Sequence, residues 1–169
     1  MRLCIIGFMG AGKSSLGKLV SSRLKLPFID LDDYIETKMS LSISEIFKQK
    51  GQTTFREIEN YCLREVLDLE TAIISLGGGT PCTKDNISLI KEKSLSLFID
   101  LPINMLFNRL KNARRPRPLI QDLNEKELKV FIEDTMLKRR PYYSQANKHV
   151  YSSKDSIDEV LHWLNTNKR

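Results

Sequence analysis

Residues 7–14 read G-F-M-G-A-G-K-S and satisfy the pattern G-x-x-x-x-G-K-[ST] at every fixed position. Few eight-residue stretches restrict a fold as tightly, because the pattern needs a strand before it and a helix after it. Both are legible here. Leu3-Cys4-Ile5-Ile6 is a short apolar run suited to a buried parallel strand. Leu16, Leu19, Val20 and Leu24 then repeat at helical spacing. In such a turn the glycines allow backbone N–H groups to face phosphate oxygens, and the helix N-terminus adds partial positive charge. Lys13 is placed to reach the outer phosphates, and the Ser14 hydroxyl to hold Mg²⁺. The sequence therefore predicts a nucleoside triphosphate site.

A chain of 169 residues is expected to form one domain with a sizeable core. Hydrophobic residues at 41% and charged residues at 28% exclude long disordered regions. No apolar run is long enough to span a membrane, and only four apolar residues separate Arg2 from Gly7, too few for the core of a signal peptide. Cys4, Cys62 and Cys82 are an odd set without metal-ligand spacing, so reduced thiols in a cytoplasmic protein are expected. The net charge of +6 raises the question of nucleic acid. Its distribution points elsewhere: Arg109, Lys111, Arg114, Arg115 and Arg117 form one cluster, and Lys138-Arg139-Arg140 another. Two compact cationic clusters suit a small, highly charged ligand better than a polynucleotide.

Short apolar runs alternate with helical patterns, which predicts βαβ units on a parallel sheet. Strands are expected near residues 2–6, 27–30, 72–76, 95–100 and 149–151, and helices near 13–25, 33–39, 43–50, 55–69, 84–91, 103–110, 125–139 and 156–165. Ser42-x-x-Glu45 and Thr54-x-x-Glu57 read as capping boxes, with Gly51 ending the helix between them. Two segments interrupt the alternation: consecutive helices at about 33–60 predict a small helical subdomain, and the basic, proline-containing stretch at about 111–124 predicts a lid.

Open α/β sheets bind ligands beyond the carboxyl ends of their strands, and further chemistry-bearing groups fall there. Asp30-x-Asp32 follows the second strand and suits steering of Mg²⁺ and of a hydroxyl; the alternative is a helix cap at Asp32 or Asp33, plausible for Asp33 and weaker for Asp30. Gly77-Gly78-Gly79 follows the third strand, where close approach of a ligand to the backbone explains three successive glycines. Arg56 opens a helix, an electrostatic cost that a bound anion would offset. Arg117-Pro118-Leu119 lies in the expected lid, and Arg139 near a helix end. His149 and His162 lack ligand spacing, while Trp163, Met105, Leu106 and Phe107 read as packing and Cys82 as an inert thiol.

In combination, Asp30-Leu31-Asp32-Asp33-x-Ile35-Glu36, Phe55-Arg56-x-x-Glu59, Ser75-Leu76-Gly77-Gly78-Gly79, Arg117-Pro118-Leu119 and Lys138-Arg139-x-Pro141-x-Tyr143 resemble the shikimate kinases over nearly the whole chain. The resemblance implies a P-loop kinase fold: a single three-layer α/β/α domain over 1–169 with a five-stranded parallel sheet of order 2-3-1-4-5. It implies transfer of the γ-phosphoryl of ATP to the 3-hydroxyl of shikimate, on the route to chorismate and the aromatic amino acids, by a cytoplasmic, monomeric kinase that uses ATP and shikimate as small-molecule partners, without nucleic-acid or membrane partners.

By the same resemblance Gly10, Ala11, Gly12, Lys13, Ser14 and Ser15 match ATP-binding positions, with Arg109 stacking on adenine and Arg117 touching the transferring phosphate. Asp32 matches the contact to the ring hydroxyls and is a candidate base; Lys13, Asp32 and Arg117 are the expected catalytic set. Arg56 and Arg139 match the carboxylate contacts, with the backbone of Gly77, Gly78 and Gly79 lining the same substrate. Ser14 would hold Mg²⁺ directly and Asp30 through water. Arg115 is an alternative to Arg117. Other kinases of this fold, acting on gluconate or nucleotides, and a non-catalytic nucleotide- or nucleic-acid-binding regulator are the competing expectations.

Overall fold

The computed structural model describes residues 1–113, 119–152 and 157–167. Five strands form one parallel sheet: β1 (Arg2–Gly7), β2 (Phe28–Asp30), β3 (Ala72–Ser75), β4 (Leu95–Ile99) and β5 (Lys148–Val150), in the order β2-β3-β1-β4-β5. The helices are α1 (Lys13–Leu24), α2 (Leu31–Met39), α3 (Ile43–Asp68), α4 (Lys84–Lys93), α5 (Ile103–Lys111), α6 (Glu125–Tyr143) and α7 (Ile157–Thr166). β1 is the middle strand, paired with β3 on one side and β4 on the other, and Leu3 to Ile6 are fully buried. A strand buried on both faces is what a continuous apolar run specifies. All five strands run the same way, so the ends of β1, β2 and β3 (Gly7, Asp30 and Ser75) open onto one edge. That shared edge positions the site.

Several local expectations are corrected. α1 buries Leu16, Gly17 and Val20, while Leu19, counted in the apolar repeat, is 46% exposed. Gly17 replaces it against the sheet, where a Cβ would lie 2.5 Å from the Phe28 ring; α1 packs more closely than side chains at that position would allow. Met105 is likewise 42% exposed rather than core. α2 starts at Leu31, and Asp30 is its N-cap, accepting from the Asp32 N–H at 3.2 Å. The cap therefore falls on the aspartate for which it was the weaker reading.

The expected break at Gly51 is present: its φ of 78° and ψ of 174° interrupt α3, a conformation glycine alone adopts without cost. The Ser42–Glu45 capping box forms, but Thr54 lies inside the resumed helix and no box links it to Glu57. α6 runs on past the predicted end at Arg139, through Pro141 to Tyr143. Proline there removes the bond to the carbonyl of Leu137, at a position where α6 presents its exposed face. The extra turn matters because it carries Tyr143 inward.

Candidate functional site

The loop between β1 and α1 is shaped by glycine. Gly10 and Gly12 have φ of 78° and 97°, in the left-handed region, and Gly12 is the N-cap of α1. No side chain caps that helix start and no acid occupies its first turn, so its N–H groups face the cleft uncontested. The Lys13 ammonium folds over the loop, donating to the carbonyls of Gly7 at 3.0 Å and Phe8 at 3.1 Å. Arg109 reaches in from α5 and donates to the carbonyls of Ala11 at 2.9 Å and Gly10 at 3.3 Å. Ala11 is fully buried beneath the loop, and Ser15, itself exposed, lines the same cleft as Lys13 and Ser14.

Below the loop, the Ser14 hydroxyl donates to Asp30 Oδ2 at 2.6 Å and lies 3.3 Å from the Ser75 hydroxyl. A cavity of about 410 Å³ joins these groups; its lining includes Lys13, Ser14, Asp30, Asp32, Gly77, Gly78 and Arg109. Asp32 is exposed to this cleft, yet the surrounding walls limit its hydration and the Asp30 carboxylate stands nearby. Lost hydration first, and repulsion from Asp30 second, push its carboxyl up to about 6, against an opposing pull from Lys13. Asp32 thus titrates close to neutrality, where a carboxylate can exchange a proton usefully.

The triple glycine explains itself residue by residue. A Cβ on Gly77 would lie 2.9 Å from Asp32 Oδ1, one on Gly78 2.9 Å from Arg139 Nη1, and one on Gly79 2.9 Å from Arg56 Nη2. None of the three needs a left-handed φ. The glycines are there so that three charged side chains from α2, α6 and α3 can press onto one turn. The expected cause, approach of a ligand, is supplemented by an intramolecular one.

Each arginine is held in place. Arg56 Nη1 pairs with Glu59 Oε2 at 2.6 Å, and Glu59 is only 2% exposed. The cost of a cation near this helix start is therefore already offset by Glu59, without the bound anion invoked for it. The Arg139 guanidinium lies 5.9 Å from the Phe8 ring centroid, which attracts it through the ring's negative face. Tyr143, fully buried on the extra turn of α6, donates its hydroxyl to the Gly78 carbonyl, and burial raises its phenol above the ordinary range. Arg140, next to Arg139, turns the other way and pairs with Asp100 at the end of β4.

The structure thus brings Gly10, Ala11, Gly12, Lys13, Ser14, Ser15, Asp30, Asp32, Arg56, Gly77, Gly78, Gly79, Arg109 and Arg139 around one edge of the sheet. Arg115 and Arg117, and with them the centre of the expected lid, lie outside the described residues. Sequence reasoning gave no role to Glu59 or Tyr143. A glutamate three residues after an arginine in one helix is a usable signal for Glu59; Tyr143 ends the Lys138-Arg139-x-Pro141-x-Tyr143 motif, but its bond to the Gly78 carbonyl becomes visible only through the fold. Cys82 is half-buried beside this loop, its thiol pushed up to about 11 chiefly by burial.

Comparison with known proteins gives a consistent answer. A family model described as shikimate kinase matches residues 9–165. A shikimate kinase of Bacteroides fragilis is 42% identical over 94% of this chain and 88% of its own length. The crystal structure of the shikimate kinase from Bacteroides thetaiotaomicron superposes with a TM-score of 0.94 at 35% identity, covering 98% of both chains. That of the Acinetobacter baumannii enzyme in complex with shikimate has a TM-score of 0.88 at 26% identity, over 99% of this chain and 94% of the other. A deoxyadenosine kinase from M. mycoides, 15% identical with a TM-score of 0.62, shares the fold. The observed strand order is that of a P-loop kinase, and the chain, a phosphotransferase, belongs to the shikimate kinase family.

Proposed function

We propose that this chain phosphorylates the 3-hydroxyl of shikimate with ATP, using the residues gathered at the sheet edge. The observation that carries this reading is the convergence of Asp32, Arg139 and Arg56 on the three successive glycines. Two guanidiniums from different helices beside one carboxylate are complementary to a small ring bearing a carboxylate and hydroxyls. The Acinetobacter baumannii relative, crystallised with shikimate, supports the same substrate.

In this reading Arg56 and Arg139 hold the substrate carboxylate, Asp32 accepts hydrogen bonds from ring hydroxyls, and the backbone of Gly77 to Gly79 forms the floor. The loop N–H groups and Lys13 hold the triphosphate, while Arg109 borders the base and Arg117 serves the transferring phosphate. The 3-hydroxyl oxygen forms a bond to the γ-phosphorus as the bond from that phosphorus to the bridging oxygen breaks, leaving ADP; the hydroxyl proton passes to Asp32. The transition state is loose, so alignment and charge neutralisation count for more than early proton removal. Water exclusion by residues 111–124 would limit hydrolysis of ATP.

The residues present also suit Mg²⁺. A hydroxyl and a carboxylate lie 2.6 Å apart below the loop, and the crowding of Asp30 and Asp32 is relieved by a cation. Mg²⁺ is commonly held by one or two protein oxygens together with substrate phosphates and water, which one hydroxyl and one carboxylate suit. When bound, Mg²⁺ supplies neutralisation of developing phosphate charge. Ser14→Ala is expected to raise the Mg²⁺ concentration for half-maximal turnover severalfold without changing shikimate affinity; a titration at fixed ATP checks this.

Asp32 gives a pH signature. Turnover requires its charged form, so log kcat/KM is expected to fall with unit slope as pH drops through the titration of this carboxyl, which lies at about 6 without a cation and lower once Mg²⁺ offsets Asp30. The stability effect has the opposite sense. Its carboxyl titrates higher in the fold than the ordinary 3.8, so between those values the folded chain binds more protons and loses stability as pH rises, with the full penalty present above about 6. Asp32→Asn should therefore raise Tm at pH 7.5, with the gain shrinking toward pH 4, while abolishing most activity. A Tm gain independent of pH would contradict this.

A coupled ADP-release assay with shikimate, gluconate and nucleoside monophosphates tests the substrate directly. Turnover with shikimate alone is expected; turnover with either other class and none with shikimate would overturn the reading. Among the described residues no helix is long and apolar enough to cross a membrane, and the reading extends to a cytoplasmic monomer acting on small molecules.

A further inference from the structure

Thr80 stands just beyond the glycines, fully buried, and its polar atoms are all engaged. Its hydroxyl donates to Glu59 Oε1 at 2.7 Å, leaving Glu59 Oε2 to accept from Arg56 Nη1 at 2.6 Å. Its N–H donates to the Gly77 carbonyl at 3.1 Å. Its carbonyl accepts from Asn86 Nδ2 at 2.7 Å, and Asn86, 3% exposed, in turn accepts from Asn60 Nδ2 at 2.5 Å. The hydroxyl also occupies space that a Cβ on Gly77 would contest, at 2.9 Å. One residue therefore links α3, the glycine turn and the start of α4.

We infer that Thr80 is a positioning residue for Arg56, acting through Glu59. The Arg56 side chain is 37% exposed, whereas Glu59 is almost wholly enclosed. The buried carboxylate is thus the firm end of the pair, and its orientation sets where the guanidinium points. Each of its oxygens has its own role: one is fixed by the Thr80 hydroxyl, the other fixes Arg56. Without that hydroxyl, a buried oxygen loses its donor and the carboxylate is free to rotate toward a new one. Arg56 then follows, and its alignment with a substrate carboxylate degrades. The inference deepens the reading of Arg56 as a carboxylate anchor and rests on it.

The test uses the full chain and shikimate. Thr80→Val keeps the shape and removes the hydroxyl; its shikimate KM should rise about tenfold, with kcat and ATP KM changed by less than about twofold. Thr80→Ser restores the donor and should restore shikimate KM. In an Arg56→Ala background, Thr80→Val should add nothing, because the group through which it acts is gone. An unchanged shikimate KM in Thr80→Val, an equal rise in ATP KM, or full multiplication of the two effects in the double variant overturns the inference. Should Thr80→Val not fold, Thr80→Ala carries the same contrast with Thr80→Ser. Absence of shikimate binding by the unsubstituted chain overturns the substrate reading as well, whereas binding that survives Thr80→Val unaltered overturns this inference alone.

Discussion

Lys13→Ala is expected to lower kcat by roughly a thousandfold while leaving the fold and shikimate affinity intact. Among the described residues, Lys13 and Arg109 are the cations lining the cavity, and Arg109 lies against the outer carbonyls of the loop. The Lys13 ammonium is poised over the loop itself, where charge develops as the γ-phosphoryl leaves. Its bonds to the Gly7 and Phe8 carbonyls are half-exposed, so water can replace it there and the loop survives its removal. Lys13→Arg should not restore the rate, since a planar guanidinium cannot occupy the compact space of an ammonium. Single-turnover measurement with saturating ATP separates lost chemistry from lost binding. A kcat within tenfold of the unsubstituted value would remove Lys13 from the catalytic set.

The second large effect belongs to Arg139. Arg139→Ala should raise shikimate KM by about a hundredfold, with a smaller fall in kcat, because it removes one of two charge-assisted anchors for the carboxylate. The Arg139 guanidinium lies on Gly78 and beside the Phe8 ring, so its position is fixed before any ligand arrives. Arg139→Lys should recover little, since a point charge lacks the fork that grips both carboxylate oxygens. Gly78→Ala tests the same geometry from the other side: its methyl would lie 2.9 Å from Nη1 and displace the guanidinium without removing it. Calorimetric titration with shikimate reads both variants. A shikimate KM unchanged in Arg139→Ala sinks the assignment.

Much of the donor side was legible because it is local. The residues from Gly7 to Ser14 determine their own turn: the glycines set the backbone, and the flanking strand and helix follow from apolar period. The end of α6 was not legible, because proline is a strong local stop and the helix nevertheless continues through Pro141 to Tyr143. The cap at Asp30 was misjudged because an aspartate at a strand end has two uses at once, and the position of the first helical residue decides between them.

The acceptor side divides differently. Its residue types were visible in the motifs, yet their joint action was not a property of any one stretch. Arg56, Arg139 and Asp32 belong to three helices, and their common ground is a glycine turn between β3 and α4. The sequence alone determined the phosphate loop, the alternating elements and the charge types available, because these follow from neighbours along the chain. Only the tertiary structure decided that each glycine faces a different charged side chain, that Glu59 pairs with Arg56 and Tyr143 with the Gly78 carbonyl, and that Arg140 pairs with Asp100 instead of joining Arg139. Those outcomes depend on packing between distant segments, where a side chain's partner is set by the sheet order and not by the residue beside it.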